Sequence, residues 1–380
     1  MKIGIIGGGI TGLTTALALH KLGIQSVVYE QATELNEIGA GILLQPNAIK
    51  VLDWLGIKDE IKKHGNGINR MELTNAQLIP FKKIKNEASL NESETKSIAI
   101  HRARLQKILY EEVSKVAAIE LHKTYMQHDL AADAIHVKFE DGVEATVAIL
   151  LGADGINSKV RHTLFPESAT RNAQQVCWRG ISKMKLPDSL SHIGLEAWGD
   201  QVRFGFSKIH DDEVYWFAVA NANHLKKGEK LGSKNYVAQL FQDFSPVVTE
   251  LVANANQTSI HQTILHDLKR LAKWHIGNVC LIGDAAHATT PNMGQGAGQG
   301  IEDAYYISKL LQEAGLDSAS AFEKFELKRR KKVDYVVNNS WTFGKMAHSR
   351  IGQPLLKLLL KITPENVMHS QMNKLYAIDK

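Results

Sequence analysis

The feature that most constrains the fold is a glycine pattern close to the N-terminus. A short apolar run at 3–6 leads into Gly7-x-Gly9-x-x-Gly12, after which apolar residues recur at helical spacing as far as Leu19. A second apolar run, Val27-Val28-Tyr29, ends in the acidic residue Glu30. Strand, glycine turn, helix, strand and carboxylate in this order form the fingerprint of a dinucleotide-binding βαβ unit.

Each residue of this pattern has its own physical role. Gly7 allows the tight turn, Gly9 lets a pyrophosphate approach the backbone, and Gly12 brings the helix close to the strand. Glu30 is placed to bind the ribose hydroxyls. A basic start followed by an uncharged stretch also resembles a signal peptide. The spaced glycines, the missing small-residue cleavage site and the immediate second strand argue against that alternative.

A second glycine-rich segment lies far along the chain, at residues 283–303. It runs from Gly283-Asp284 through Pro291 to Gly294-Gln-Gly-Ala-Gly298 and then into a helix. Glycines leave the backbone bare, and the N-terminus of a helix attracts negative charge. The segment therefore predicts a loop that holds a flat, polar and negatively charged ligand.

A third junction of this kind follows the apolar run at 149–151, where Gly152-Ala-Asp154-Gly155 precedes a short helix. Asp154 either contributes to a cofactor site or braces the start of that helix at Ile156. Between 175 and about 222 the pattern changes to alternating strands rich in aromatic residues, and Asn278–Asp284 returns to a buried strand. The dinucleotide domain is therefore expected to be discontinuous, with the aromatic sheet inserted into it.

These patterns predict an α/β protein in three parts. A Rossmann-like dinucleotide domain takes residues 1–76, 98–174 and 263–325. A mixed β-sheet substrate domain takes 77–97 and 175–262, where one face of the sheet is expected to cover helices and the other to roof an apolar pocket. Residues 326–380 are expected to form a C-terminal helical segment.

Composition narrows the class of protein. The 380 residues suffice for two domains, and 44% hydrophobic with 22% charged residues is ordinary globular composition. The balance of 45 basic and 40 acidic residues shows no basic face interleaved with aromatics, so nucleic acid is not an expected partner. No apolar run reaches the roughly 18 residues of a membrane span. Cys177 and Cys280 form neither a disulfide nor a metal pattern; we expect a cytoplasmic protein without a metal.

The three glycine motifs, in this order and at these intervals, resemble those of the FAD-dependent aromatic hydroxylases, the group A flavoprotein monooxygenases. This family includes salicylate, para-hydroxybenzoate and urate hydroxylases and tetracycline monooxygenases. The resemblance extends over almost the whole chain. The segment Gly39–Ala48 is similar to the salicylate-hydroxylase branch, as is Trp178-Arg-Gly180. The resemblance to this family implies a FAD-binding domain of the glutathione-reductase type.

The resemblance implies FAD as the cofactor and assigns residues to it. Glu30 is expected to bind the adenosine ribose, Arg102 the pyrophosphate and ribityl chain, and Asp284 a ribityl hydroxyl. The helix that begins near Gly296 would direct its N-terminus at the pyrimidine edge of the flavin. Many relatives have arginine where this chain has Gln31. The residues expected to bind FAD are Gly7, Gly9, Ile10, Thr11, Gly12, Glu30, Gln31, Gly41, Leu43, Arg102, Asp154, Asp284, Pro291, Gly294, Gly296, Ala297 and Gly298.

The reaction that the resemblance implies uses NADH or NADPH as a transient electron donor and O2 as the oxidant. A C4a-hydroperoxyflavin would then hydroxylate an aromatic or polycyclic electron-rich small molecule. Pro291 and Met293 are expected at the reactive face of the flavin. Arg203 would bind an anionic or phenolic substrate, unless it is a surface or shielding arginine. No tyrosine pair or histidine matches the substrate-activating residues of the family, so the substrate stays open.

Two other functions are compatible with the same motifs. A flavin oxidase or reductase on this fold would not insert oxygen, and a FAD-binding regulatory protein would show no turnover. The protein is expected to be a monomer or a homodimer. At the C-terminus, Leu355–Ile362 places Lys357 and Lys361 on one helical stripe among leucines. This helix either contacts a membrane or partner or, more simply, docks across the two domains of its own chain.

Overall fold

The computed structural model describes residues 2–34, 40–85, 97–131, 134–224 and 233–379. Two parts of the sequence prediction lie outside the described residues. They are Gly39 and residues 86–96 of the predicted segment 77–97. The helices are α1 Ile10–Lys21, α2 Pro46–Leu55, α3 Lys58–Lys63, α4 Arg102–Ser114, α5 Lys159–Leu164, α6 Lys234–Leu240, α7 Pro246–Ala253, α8 Asp284–His287, α9 Gly296–Glu313, α10 Ser318–Ala347, α11 Gly352–Ile362 and α12 Glu365–Tyr376.

The strands of the described residues pair into four sheets. Their bounds are β1 Ile3–Ile6, β2 Ser26–Tyr29, β3 Gly41–Leu44, β4 Gly65–Ile68, β5 Arg70–Asn75, β6 Pro80–Lys85, β7 Ser97–His101, β8 Ala118–Glu120, β9 Tyr125–Leu130, β10 Ile135–Phe139, β11 Glu144–Val147, β12 Ile149–Gly152, β13 Thr170–Lys183, β14 Ile193–Trp198, β15 Val202–His210, β16 Glu213–Asn221, β17 His261–Leu268, β18 His275–Ile276 and β19 Val279–Leu281. Strands β10 and β11 form an antiparallel hairpin around residue 142.

The first sheet has the strand order β18-β19-β12-β1-β2-β8. Its pairs from β19 to β8 are parallel, and the short β18 runs antiparallel at the edge. Strands β1, β2, β12 and β19 are buried along their whole length, as expected where helices cover both faces of a parallel sheet. Helix α1 packs between α4 and α9 on this sheet. The Rossmann-like domain predicted from the sequence is thus confirmed.

The second large sheet has the order β17-β13-β16-β15-β14-β5-β6 and is antiparallel except for the β14–β5 pair. One face carries Trp178 and Trp216 into a core that also contains Phe241 of the α6–α7 helical layer. The other face turns toward the first domain. Strands β5, β13 and β17 belong to this sheet, so it includes residues 70–75, 170–174 and 263–268, beyond the sequence-based limits of the substrate domain.

The C-terminal segment is helical, as predicted. Asp317 caps the 30-residue helix α10 by accepting hydrogen bonds from the N–H groups of Ala319 and Ser320. Helix α10 crosses from the first domain to the second and packs along α9, and α11 then returns along α10 to contact β6. Within the described part of the chain, no helix is both long and apolar enough to cross a membrane.

Candidate active site

The glycine turn after β1 forms one wall of a cleft. Gly7 adopts a φ of 109°, and a Cβ on Gly12 would lie 1.9 Å from the carbonyl oxygen of Gly7, so α1 approaches β1 too closely for a side chain. Gly9 differs, because no heavy atom of the described residues lies within 4 Å of the position its Cβ would take. The backbone at Gly9 therefore borders open space that phosphate groups can enter.

The first turn of α1 adds hydrogen-bond donors to this wall. Among the described residues, no side chain caps the helix at Gly9. The first intrahelical bond to Gly9 comes from the N–H of Leu13. The N–H groups of Ile10 and Thr11 precede that bond and have no intrahelical acceptor. Both residues are thus placed to donate to an anion.

Glu30 lies at the end of β2, beside the glycine turn. Its carboxylate accepts hydrogen bonds from the N–H of Gly8 at 2.5 Å and from the N–H of Ala32 at 2.8 Å. A carboxylate has about four acceptor positions, so these two bonds orient Glu30 and leave capacity for a diol. Gln31, the next residue, is exposed.

Thr11 brings the two distant glycine segments together. A Cβ on Gly283 would lie 2.6 Å from the Thr11 hydroxyl oxygen, and a Cβ on Gly300 would lie 2.1 Å from it. Thr11 therefore fills the space that these two glycines leave. The N-terminal turn and the segment at 283–303 are therefore in contact.

A buried ionic network holds the Gly283 turn from behind. Asp303 accepts from the N–H of Gly283 at 2.8 Å, from His287 at 2.5 Å and from Arg329 at 2.7 Å. Burial alone would raise the pKa of Asp303, but the charges and hydrogen bonds of His287 and Arg329 lower it to about 2. Asp303 therefore stays ionised and fixes the turn that carries Asp284.

Asp284 itself points into the cleft. Its side chain is exposed, and a Cβ on Gly296 would lie 3.9 Å from its Oδ1, at the start of α9. The protein around the cleft desolvates the carboxylate and raises the pKa of Asp284, although His287 and Arg102 partly offset this effect. Arg102, whose N–H donates to the carbonyl of Ala40, lies near enough to act on this carboxylate.

Side-chain amides hold the loop that precedes α9. Gln45 donates to the carbonyl oxygen of Met293 at 3.0 Å and accepts from Gln295. Asn47 donates to Gln295 at 3.0 Å. These bonds fix the N-terminus of α9, where the first-turn N–H groups of Gly296–Gly298 have no intrahelical acceptors and can face an anion. Gln45 and Asn47 lie in the segment Gly39–Ala48, but no sequence pattern predicts their contacts with Met293 and Gln295.

The second sheet supplies an aromatic roof. Tyr215 and Phe217 alternate on β16, are half-buried and place their ring centroids 6.3 Å apart. A Cβ on Gly41 would lie 2.2 Å from the Tyr215 ring, so β3 passes directly under it, and Leu43 packs in the same cluster. Burial raises the pKa of Tyr215, although the nearby Arg179 guanidinium favours the ionised form. The hydroxyl stays protonated at neutral pH.

Arg203 lies on the same face but is 2% exposed. Its guanidinium donates to Glu196 at 2.8 Å, to His348 at 3.3 Å and to the side-chain oxygen of Asn292. Burial and the Arg203 charge lower the pKa of His348 to about 3, so this histidine is neutral and accepts. Arg203 thereby holds the loop at Asn292, between the predicted Pro291 and Met293. Its guanidinium is thus bound by protein groups on three sides.

The remaining predicted residues lie as follows. Pro291 is exposed at the start of a short 3-10 turn, whereas the partly buried Met293 packs against the cluster of Val336 and Tyr376. Gly294 has a φ of 63° and contacts Gln45, and Ala297 packs against the main core.

Asp154 lies in the turn before α5, which begins at Lys159 and not at Ile156 as the sequence predicts. It accepts hydrogen bonds from the hydroxyl of Ser158 and from the N–H of Val160. These are the contacts of the helix-bracing alternative. The described residues contain no group of three His, Cys, Asp or Glu residues that could bind a metal ion.

The cleft fits the FAD that the sequence motifs imply. It combines open backbone at Gly9, an oriented carboxylate at Glu30 and an exposed carboxylate at Asp284. The N-termini of α1 and α9 both face it with unpaired first-turn N–H groups. An elongated anion with two diol-bearing parts matches this set of groups.

Comparison with known proteins supports this assignment. A family model described as a FAD binding domain matches residues 1–340. The chain is 32% identical to an aurachin C monooxygenase/isomerase of Stigmatella aurantiaca, with 90% of this chain and 88% of that protein covered. It is 31% identical to a 2-heptyl-3-hydroxy-4(1H)-quinolone synthase of Pseudomonas aeruginosa (strain UCBPP-PA14), with 91% and 89% covered.

Among solved structures, the fold is similar to that of Klebsiella pneumoniae HpxO complexed with FAD and uric acid. The TM-score is 0.89 at 24% identity, with 99% of this chain and 96% of that chain covered. The chain therefore belongs to the FAD-dependent aromatic hydroxylase family and is a flavoprotein monooxygenase with FAD as its cofactor.

Proposed function

We propose that this monooxygenase uses NADH or NADPH and O2 to hydroxylate an aromatic or polycyclic electron-rich small molecule. The observation that carries the proposal is the pair of half-buried rings, Tyr215 and Phe217, on the face of the second sheet that packs against Gly41 of β3. A flat, apolar substrate would lie under these rings, beside the loop that precedes α9. Aromatic rings pack well against such a substrate in stacked or edge-on arrangements.

The residues that would hold FAD follow from the cleft. The glycine turn with the N–H groups of Ile10 and Thr11 would bind the pyrophosphate, Glu30 the adenosine ribose and Asp284 the ribityl chain. When bound, FAD supplies the redox and oxygen-transfer chemistry. The N-terminus of α9 would favour negative charge at the edge of the ring system that it faces.

The chain's own side chains would position the substrate and keep water out. Tyr215 keeps its proton at neutral pH, because burial raises its pKa, and its hydroxyl can donate to a substrate oxygen. Arg203 would act through Asn292, whose position it fixes, since its guanidinium is committed to protein partners. A rigid loop and an apolar roof exclude the water that would divert the reaction.

A quinolone is the first substrate class to test. The relatives named for quinolone and aurachin chemistry are 31% and 32% identical to this chain, compared with 27% for the 3-hydroxybenzoate 6-hydroxylase of Klebsiella oxytoca. Arg203 has little capacity left for a benzoate carboxylate, because its donors already bind Glu196, His348 and Asn292. Both observations favour a neutral ring over a small aromatic acid.

The test is a substrate panel on the purified FAD-loaded protein. The panel contains 2-heptyl-4(1H)-quinolone, 3-hydroxybenzoate, 6-hydroxynicotinate, salicylate and uric acid, each with NADH or NADPH. We expect the quinolone to stimulate nicotinamide oxidation and to gain one oxygen atom from labelled O2. Stimulation without incorporation would instead identify a flavin oxidase or reductase, and a yellow protein inert to a wide range of aromatics would indicate a non-catalytic role.

Changing Tyr215 to phenylalanine tests the roof. Tyr215→Phe keeps the ring against Gly41 but removes the hydroxyl, so we expect kcat/KM to fall about tenfold to a hundredfold. The FAD dissociation constant should stay unchanged, because Tyr215 lies on the substrate side. Tyr335→Phe, at an exposed tyrosine of α10, is the matched control. Wild-type kcat/KM in Tyr215→Phe would remove the hydroxyl from the proposed mechanism.

Changing Asp284 to asparagine should separate stability from cofactor binding. Folding raises the pKa of Asp284, so the charged carboxylate destabilises the apo-protein above its unfolded pKa of about 4. Asp284→Asn should therefore raise the Tm of the apo-protein at pH 7, and the gain should shrink as pH falls toward 4. FAD affinity should drop about tenfold, because a neutral amide is a weaker acceptor for a ribityl hydroxyl.

Thermal unfolding of the apo-protein and titration of flavin fluorescence measure the two effects. Asp53→Asn, on the surface of α2, should change neither quantity. A variant that lost stability at pH 7, or that bound FAD as tightly as the wild type, would contradict the assignment of Asp284.

A further inference from the structure

Helix α11 is apolar on two opposite faces. Its inner face packs Leu356 and Leu360 into a cluster built around Trp198 and Leu73, and Gln353 donates to the carbonyl of Gly199 at 2.9 Å. The predicted docking of this segment against its own chain accounts for that face. The outer face has no such partner among the described residues.

The outer face is a continuous apolar ridge. At about 100° per residue its five side chains fall within an arc of about 100°, opposite Leu356 and Leu360. They are Ile351 (85% exposed), Leu355 (50%), Leu358 (54%), Leu359 (43%) and Ile362 (64%). Single exposed apolar residues are common, but five adjacent ones mark an interaction surface.

Basic residues lie beside the ridge. Lys361 is exposed on one flank of α11, whereas the ammonium of Lys357, one turn earlier, lies over the Trp198 ring of the inner cluster, 5.8 Å from its centroid. On the neighbouring strand β6, Lys82 donates to the carbonyl of Thr363 at 2.9 Å, just beyond the end of α11, and Lys83 is exposed. Arg350 precedes the helix and is also exposed.

We propose that the outer face of α11 docks on an anionic lipid bilayer, with its leucines in the interface and the exposed Lys361, Lys83 and Arg350 at the headgroups. An apolar helical face with lysines beside it is the pattern of helices that lie in the plane of a membrane surface. The charges favour this occupant over a second copy of the chain. In a symmetric contact the same basic flank would face itself, whereas acidic headgroups attract it.

Vesicle sedimentation of the full-length, FAD-loaded protein tests the proposal. We expect binding to phosphatidylcholine vesicles that contain about 30% phosphatidylglycerol, weaker binding to pure phosphatidylcholine, and release by added salt. The measurement needs no substrate, so its outcome is independent of the proposed reaction.

Variants locate the contact. Leu355→Gln with Leu358→Gln should lower the vesicle partition coefficient about tenfold or more, because two side chains lose their apolar burial. The matched control is Leu130→Gln with Leu327→Gln, which changes two leucines that are 54% and 83% exposed elsewhere on the surface. Lys83→Gln with Lys361→Gln should weaken binding to the anionic vesicles alone.

Three results would overturn the proposal. The first is that the wild-type holoprotein does not sediment with anionic vesicles. The second is that the ridge pair and the control pair lower the partition coefficient equally. The third is that the protein forms a dimer, which the ridge pair dissociates, and does not bind vesicles. If the Leu355→Gln, Leu358→Gln variant does not fold, hydrogen exchange of the wild-type protein tests the proposal instead. Slower exchange across 351–362 on vesicle addition supports docking, and unchanged exchange contradicts it.

Discussion

Replacing Gly9 with alanine is expected to leave the protein folded and to remove most of its FAD affinity. The Cβ of the variant meets no heavy atom of the described residues within 4 Å, so the apo-protein has room for it. That same room is where the pyrophosphate must approach the backbone. We expect the FAD dissociation constant to rise about a hundredfold, equivalent to about 2.7 kcal/mol.

Flavin fluorescence titration measures the dissociation constant, and circular dichroism of the apo-protein measures folding. Gly67→Ala is the matched control, because a Cβ at Gly67 also meets open space but lies outside the glycine turn. Gly12→Ala provides the contrast, since its Cβ would lie 1.9 Å from the Gly7 carbonyl oxygen and should disturb folding itself. A Gly9→Ala protein that binds FAD as tightly as Gly67→Ala would show that the cofactor does not cross this turn.

The dinucleotide domain was predictable because its signals are local. Continuous apolar runs at 3–6 and 149–151 need burial on both faces, which a parallel sheet covered by helices provides. The glycine fingerprint then predicts that a strand, a turn and a helix follow one another in this order. Even the meeting of Gly283 with the N-terminal turn could be anticipated, since both segments carry features of the same type of ligand site.

The substrate side was less predictable because it depends on which face of a sheet meets another domain. Alternation along β16 shows that Tyr215 and Phe217 share a face, but not that this face looks onto the cleft. The partners of Arg203 come from β14, the 3-10 turn and the end of α10. No local sequence pattern predicts contacts between residues so far apart in sequence.

Replacing Arg329 with methionine is expected to cost about 3–5 kcal/mol of unfolding free energy at pH 7. Arg329 is 1% exposed and donates to Asp303, Glu302 and Gln299, all of them buried on α9. Methionine fills much of the volume but leaves two carboxylates with fewer partners in an interior that cannot solvate them. Because Asp303 holds the N–H of Gly283, FAD affinity should also fall.

The pH dependence identifies the cause of that loss. Folding lowers the pKa of Asp303 to about 2, so its stabilisation is complete above its unfolded pKa of about 4 and disappears as pH falls from 4 to 2. Urea denaturation of both proteins should therefore show a gap that is widest near pH 7 and narrows in acid. Arg270→Met, which removes a 59% exposed arginine from a surface ion pair with Asp334, should cost less than about 1 kcal/mol. If Arg329→Met lost as little unfolding free energy as Arg270→Met, or if its loss did not depend on pH, packing rather than charge would hold α9 to α10.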